Sequence, residues 1–269
     1  MARALGLSRA GFYKRLRRKL TVRDTADLDL KAKILSIYNK SRKTYGVPRL
    51  MKALKESAIQ CGTGRLQKLQ KSLQIQGAIR KPKYIRTTDS NHNQVISPNL
   101  LKRNFTTDKP NRVWVSDLTY LRTAQGWLYL CVFLDLFSRK IVGWSMSDNM
   151  EASNTRRALE MAIGSRRPEA GLIIHSDRGV QYASAEFRQV LKANGFMQSM
   201  SGKGDCLDNA CAESFFGTLK SELAANVFGS HAEARREVFD YIECFYNTER
   251  MHSYLGYKSP MEFERMKAA

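Results

Sequence analysis

A chain of 269 residues, 43% of them apolar, can bury the core of one large domain or two unequal ones. Its five cysteines form no CxxC pair, its four histidines match no zinc-finger spacing, and its longest apolar run contains Asp135 and is too short for a bilayer, which excludes a disulfide framework, a zinc module and a membrane span. The formal charge of +20 is concentrated: residues 1–110 hold 26 Lys and Arg against 6 Asp and Glu, and residues 111–269 hold 19 of each.

A basic excess confined to the first two fifths of the chain points to a polyanionic partner there, most often nucleic acid. The alternative is a basic surface that serves solubility alone. The segment Met1 to Leu20 carries Arg and Lys throughout and lacks the apolar centre of a secretory signal, so a soluble, cytoplasmic protein is expected. Within it, Gly6 predicts a turn, Ser8 a cap, and Arg9 to Lys19 a strongly basic helix. A second helix begins near Asp27, with Leu30, Ile34, Ile37 and Tyr38 at helical spacing, and breaks at Tyr45-Gly46-Val47-Pro48. Pro48 suits the first turn of a third, whose apolar face is Leu50, Ala53 and Leu54. Thr63 is placed to cap the next, where a Leu66, Leu69 and Leu73 stripe leaves Arg65, Lys68 and Lys71 exposed until Gly77 stops it. Short helices with tight turns and exposed base resemble helix-turn-helix modules; a small bundle with no DNA role is the rival. Residues 1–84 are thus expected to be a basic helical region and 85–110, rich in Thr, Ser, Asn and Asp, a linker.

The period then changes. Val113 to Leu121, Trp127 to Asp135 and Arg139 to Met146 predict three strands joined by turns at Ala124-Gln125-Gly126 and Phe137-Ser138. A helix over 151–165, a buried strand Leu172 to His175, a helix over 184–194, a short strand Phe196 to Ser199, and a helix from about Asn209 to Ala225 follow. A last long helix is predicted from His231 to Asn247. Antiparallel strands followed by alternating helix and strand predict a mixed α/β layer.

Three acids adjoin this predicted core. Asp117 interrupts the apolar strand Trp114-Val-Ser-Asp-Leu-Thr-Tyr120, where a carboxylate is costly to bury unpaired. Asp177 follows the strand ending at His175, where sites form in open α/β sheets. Glu213 occupies a first helical turn, on the edge of the stripe Ala212, Phe216, Leu219 and Leu223. Oxygen ligands of this kind suit a hard divalent cation, Mg²⁺ or Mn²⁺. On the same helix Lys220 lies almost above Glu213, about 10 Å along the axis, with Gly217 clearing the space between. Each acid alone is as well read as structural, and Asp135, ending the second strand, is by position an equal competitor.

Thirty-five residues separate Asp177 from Glu213, and the words around the acids are more specific than the spacing. Pro110-Asn-Arg-Val-Trp114, Ser116-Asp-Leu-Thr-Tyr120, His175-Ser-Asp-Arg-Gly-Val-Gln-Tyr182 and Asp208-Asn-Ala-Cys-Ala-Glu-Ser-Phe-Phe-Gly-Thr-Leu-Lys220 resemble the OrfB-type transposases of the bacterial IS-three group. So do Asp135-Leu-Phe-Ser-Arg-Lys-Ile-Val-Gly-Trp144, Tyr246-Asn-Thr-Glu-Arg-Met-His252 and Leu255-Gly-Tyr-Lys-Ser-Pro260, so that nearly the whole chain is covered. The resemblance implies a ribonuclease-H-like, mixed five-stranded catalytic core over 111–225, a helical extension over 226–269, and two Mg²⁺ ions held by Asp117, Asp177 and Glu213. It implies cleavage and joining of double-stranded DNA at transposon ends and target, and a homo-oligomer on DNA. It also implies an upstream-frame partner or fusion, and an association with the nucleoid. It leaves Asp135 without a metal role and gives Lys220 a contact to DNA near the cleaved end. Further DNA contacts are expected from Arg178, Asn209 and Lys203 near the acids and from Arg9, Arg49, Arg65 and Lys68 in the basic part. Thr44-Tyr-Gly46 matches the family's helix-turn-helix word best, while the Gln-rich helix from Arg65 to Ile75 departs from it.

Overall fold

The computed structural model describes residues 8, 10, 13, 19–79, 94–202, 206–223 and 225–268, and divides into units of residues 1–77 and 78–269. Most of the predicted basic helix, with Arg9, residues 85–93 of the segment expected as linker, and Lys203 lie outside the described residues.

In the first unit, α1 (Val22–Lys40) starts earlier than the apolar spacing suggests, because Thr21 and Asp24 close a capping box: the Thr21 hydroxyl accepts from the Asp24 amide and the Asp24 carboxylate accepts from the Thr21 amide. Leu30, Ile34 and Tyr38 bury one stripe. Pro48 opens α2 (Val47–Glu56), which buries Leu50 and Leu54. α3 (Thr63–Leu73) buries Leu66 and Leu69, yet Thr63 does not cap it; Gly62 does, with no side-chain bond. Gly77 does not stop it either. Gln74 turns into the left-handed region and ends the helix, while a Cβ on Gly77 would come 2.6 Å from the Gly46 nitrogen, so glycine there permits two backbones to touch. Tyr38 closes the unit by donating its hydroxyl proton to the Gln76 carbonyl at 2.7 Å.

In the second unit β1 (Val113–Thr123), β2 (Gly126–Asp135) and β3 (Ile141–Ser147) form an antiparallel meander. β4 (Ile173–Ser176) runs parallel to β1 over Val113–Val115, and β5 (Met197–Met200) parallel to β4. The order β3-β2-β1-β4-β5 is the mixed five-stranded sheet of the ribonuclease-H-like fold, as the resemblance implied. A two-residue strand not predicted, β6 (Val227–Phe228), joins β1 at Arg122–Thr123.

Both sheet faces are covered. Trp114, Cys131 and Phe133 join Ala158, Leu159, Ala162, Tyr182 and Phe187 in one core with α4 (Ala152–Arg166), the single turn α5 (Val180–Ala183) and α6 (Ala185–Ala193). Each large apolar side chain buried there contributes roughly 1.5–3 kcal/mol. Gly143 lets α4 approach β3 so closely that a Cβ would strike the Ala158 carbonyl. The alternate residues Val115, Val132 and Leu134 are equally buried, and α7 (Ala210–Glu222) packs against β1. α8 (His231–Phe239) continues as a wider π-type segment through Tyr246 rather than as one regular helix, and α9 (Pro260–Ala268), a separate helix within the helical extension expected over 226–269, ends the chain's described part.

Residues 94–110 do not behave as a free tether. Ser97 donates to Gln198, the Leu100 amide donates to Ser199, and Asn99 donates to Asp208, which lays this stretch along β5.

Candidate active site

β1 has an open edge. β4 leaves it after Val115, β6 joins only at Arg122, and the stretch between them borders an open cleft. Asp117 and Asp177 both open onto this cleft, with Tyr120, Tyr129, Met150 and Gln181. Asp117 comes from the middle of β1, and Asp177 from the turn immediately after β4. Glu213 is not part of the cleft lining; it sits on the exposed first turn of α7. It is nonetheless close enough to act on Asp117. Burial, then the Asp177 carboxylate, and more weakly that of Glu213 push the Asp117 carboxyl well above the ordinary carboxylate range. The Leu118 amide and the Lys220 ammonium oppose that shift. The four residues brought together by the sequence words therefore share one electrostatic neighbourhood.

The carboxylates also have local partners. Asp117 accepts from the Leu118 amide at 2.8 Å and Asp177 from the Gly179 amide at 3.0 Å. Among the described residues, no three His, Cys, Asp or Glu side chains already lie at the spacing of a closed ligand set. Asp135 is separate and structural: its oxygens accept from the Asn111 and Phe137 amides at 2.8 and 2.9 Å and face Arg166 at 3.5 Å.

A buried polar frame underlies the acids. The Tyr182 and Ser116 hydroxyls are 2.8 Å apart, and the Ser116 carbonyl accepts from Asn209 Nδ2 at 3.1 Å. Burial pushes the Tyr182 phenol well up, so it stays protonated and can donate. Asn209 is only 3% exposed and thus braces the start of α7 from within, where the sequence had suggested a surface contact to DNA. His175 Nε2 lies 3.1 Å from the Asp208 carbonyl, which can only accept, so that nitrogen carries the proton. Its Nδ1 then accepts from the Ser199 hydroxyl at 2.8 Å, whose oxygen takes the Leu100 amide. Burial lowers the His175 pKa and keeps the ring neutral. Asp208 in turn accepts from the Gly202 amide and Asn99 and faces Arg103. These bonds tie β1, β4, β5 and α7 together one residue away from each acid or within a turn of it.

The far end of α7 is anchored too. Glu222, buried, takes two bonds of 2.7 Å from Arg250 Nε and Nη2 and one of 2.9 Å from the Tyr241 hydroxyl. Burial works to lower the Arg250 pKa, and the bonds and charge of Glu222 more than reverse it.

The expected DNA contacts fall in different settings. Lys220 is exposed, its ammonium 4.8 Å from the centre of the Tyr120 ring. Arg178 is half-buried and donates to the Ser201 carbonyl at 2.7 Å. In the first unit Lys68 is exposed, Arg49 is half-buried with its guanidinium 5.7 Å from the Tyr45 ring centre, and Arg65 is half-buried in an ion pair with Asp27 rather than free on the surface. The supporting residues Ser116, Tyr182, His175 and Asp208 stand inside the very words quoted for the acids, but nothing in one sequence tells a bracing hydroxyl from a neutral neighbour.

The class is that of the integrase cores. Integrase core models match residues 107–206 and 213–267, and an HTH-like domain model matches residues 25–83. The 31 kDa protein of insertion element IS600 from Shigella sonnei is 43% identical over 98% of this chain and 97% of its own length. The InsF transposase of insertion sequence IS3A from Escherichia coli K12 is 39% identical over 100% of this chain and 94% of its own. Among solved structures, the catalytic core domain of HTLV-2 integrase in complex with magnesium aligns over 59% of this chain and 99% of that one, at 16% identity and a TM-score of 0.43. The chain belongs to the IS3-family transposases. No helix among its described residues is long and apolar enough to cross a membrane.

Proposed function

We propose that Asp117, Asp177 and Glu213 act together as the metal-holding acids of a DDE transposase, cutting insertion-sequence ends and joining them to target DNA. The observation that supports this reading is the action of the Asp177 and Glu213 carboxylates on Asp117, which opens with Asp177 onto the cleft and lies near an exposed lysine. A buried carboxyl whose proton affinity is raised further by two neighbouring carboxylates, with only oxygen donors on offer, fits Mg²⁺ or Mn²⁺, since such a cation relieves the repulsion on Asp117. Two such ions, when bound, would supply charge neutralisation at the attacked phosphodiester and lower the pKa of the attacking hydroxyl or water.

The protein's own part is positioning. The Ser116–Tyr182–Asn209 frame holds the β1 acid at a fixed place relative to the start of α7, and the exposed Glu213 side chain swings in from there. Lys220, two turns further on, engages a phosphate of the strand being cut. With water as the attacking group a free 3′ hydroxyl results; with that hydroxyl as the attacking group on a second phosphodiester, the same residues join strands. The basic first unit grips end sequences through Lys68, Arg49 and Arg9, and through Arg65 once it exchanges Asp27 for a phosphate, while Lys203 contributes a contact near the acids. Bringing two ends together requires at least two copies of the chain, and an upstream-frame product is a further partner. The reaction is confined to the cytoplasm, at the nucleoid.

The test is a labelled duplex carrying the element's own end, incubated with the full chain and Mg²⁺. Nicks at the end followed by joined products are expected; nicks alone would make the protein a nuclease, and neither product would end the proposal.

A further inference from the structure

Beside the acids the β1–β2 hairpin carries a surface that the catalytic reading does not use. Tyr120 and Tyr129 are direct cross-strand partners, as are Arg122 and Trp127. Two-residue periodicity puts all four on one face of the hairpin. Trp127 is 46% exposed, a large apolar area for a hairpin end to leave in water. It meets Tyr120 edge to face at 4.7 Å between ring centres, and the Lys220 ammonium lies 4.8 Å from the centre of that same Tyr120 ring. Arg122 is exposed alongside. Tyr120 and Tyr129 also line the cleft onto which Asp117 opens, so the aromatic surface is continuous with the candidate active site.

The hairpin end is rigidly held. The Thr123 hydroxyl donates to the Gly126 carbonyl at 2.8 Å, and the Ala124 amide donates to the Phe228 carbonyl at 2.8 Å. Gln125 accepts from the His231 amide, also at 2.8 Å. Exposure of Trp127 is thus a feature of a braced surface.

We propose that Tyr120, Trp127, Arg122 and Lys220 form a stacking platform for an unpaired base of the DNA strand that enters the cleft, with the two cations taking the flanking phosphates. Aromatic faces beside paired cations are how proteins hold single-stranded nucleic acid, because every base offers a π face and every link a negative charge. A duplex interior cannot use such a surface, since its bases are already stacked. The platform therefore selects DNA whose end is opened next to the scissile bond. This inference rests on the catalytic reading for the position of that bond.

The test uses the full chain and two oligonucleotide duplexes, one blunt and one with a three-nucleotide single-stranded overhang bearing 2-aminopurine. Wild type should bind the overhang roughly tenfold more tightly than the blunt duplex, given a stacking contribution of about 1–3 kcal/mol per base. It should also quench the 2-aminopurine. Trp127→Ala should lose both the preference and the quenching, and Trp127→Phe should keep most of each, which separates stacking from misfolding. Equal overhang preference and quenching in wild type and Trp127→Ala would overturn the platform. Failure of the catalytic reading would appear separately, as absence of Mg²⁺-dependent cleavage by wild type.

Discussion

Replacing Arg250 by Met is the perturbation whose cost the geometry defines best. Arg250 and Glu222 side chains are 5% and 3% exposed, joined by two bonds of 2.7 Å, with Tyr241 filling another acceptor site at 2.9 Å. Removing the guanidinium leaves the Glu222 carboxylate buried with a phenol as its remaining partner. Breaking a buried pair from one side costs about 3–5 kcal/mol. Against a typical domain stability of about 5–15 kcal/mol, that is a large share of the whole. Replacing both residues, Glu222→Leu with Arg250→Met, removes the stranded charge and should recover most of the loss. Because α7 carries Glu213 at one end and Glu222 at the other, the single variant should also reduce strand cleavage. Urea unfolding of wild type, both single variants and the double variant, followed by tryptophan fluorescence, closes the cycle. A loss below about 1 kcal/mol for Arg250→Met, the range of exposed pairs, would refute the reasoning, as would a double variant less stable than either single one.

Tyr182→Phe should lower stability by about 1 kcal/mol, one buried hydrogen bond. It should depress cleavage more than DNA binding, because Ser116 loses the partner beneath Asp117; unchanged cleavage rates in a kinetic assay would count against the frame. Asp177→Asn should make the metal-free protein no less stable, since it relieves repulsion on Asp117, and should remove any rise in melting temperature caused by Mg²⁺; differential scanning calorimetry with and without the ion reads both. For acid, burial alone would raise the Glu264 pKa, but bonds and charge from Arg166, with Ser138 and Lys140, hold it below the ordinary 4.5. A depressed carboxyl stabilises above its unfolded pKa and loses that contribution as pH falls through the folded value. Docking of α9 should therefore weaken as pH drops below about 4.5, seen as faster hydrogen exchange across Pro260–Ala268. Exchange that slows on acidification would contradict it. Asp135, raised by burial, acts in the opposite direction within the same cluster, so α9 exchange rather than global unfolding is the proper readout.

Where sequence signals were local, they were legible. Alternation over Val113–Leu121 and the Gly126 turn gave the first hairpin, and the apolar run before His175 gave β4. Pro48 located α2. What escaped was set by contacts distant in the chain. Two residues make β6, and only pairing with Arg122–Thr123 defines it. The order in which β4 inserts beside β1 rests on tertiary contacts, as does the anchoring of α9 through Glu264 to Arg166. Asn209 shows the same limit at the site. Its side chain type suits DNA or a buried brace equally, and the choice depends on a Ser116 carbonyl 93 positions away. Asp135 escaped for a related reason: the Asn111 amide and Arg166 that explain it come from other segments. The three acids proposed for the site were singled out only by their surrounding words, because each carboxylate by itself had an ordinary structural use.

The most direct measurement compares Asp117→Asn, Asp177→Asn and Glu213→Gln with wild type for joined product from an element-end duplex in Mg²⁺. DNA binding is measured on the same preparations. The account predicts that each variant binds DNA as wild type does and forms no joined product. A variant of any of the three that still joins strands at the wild-type rate would contradict it.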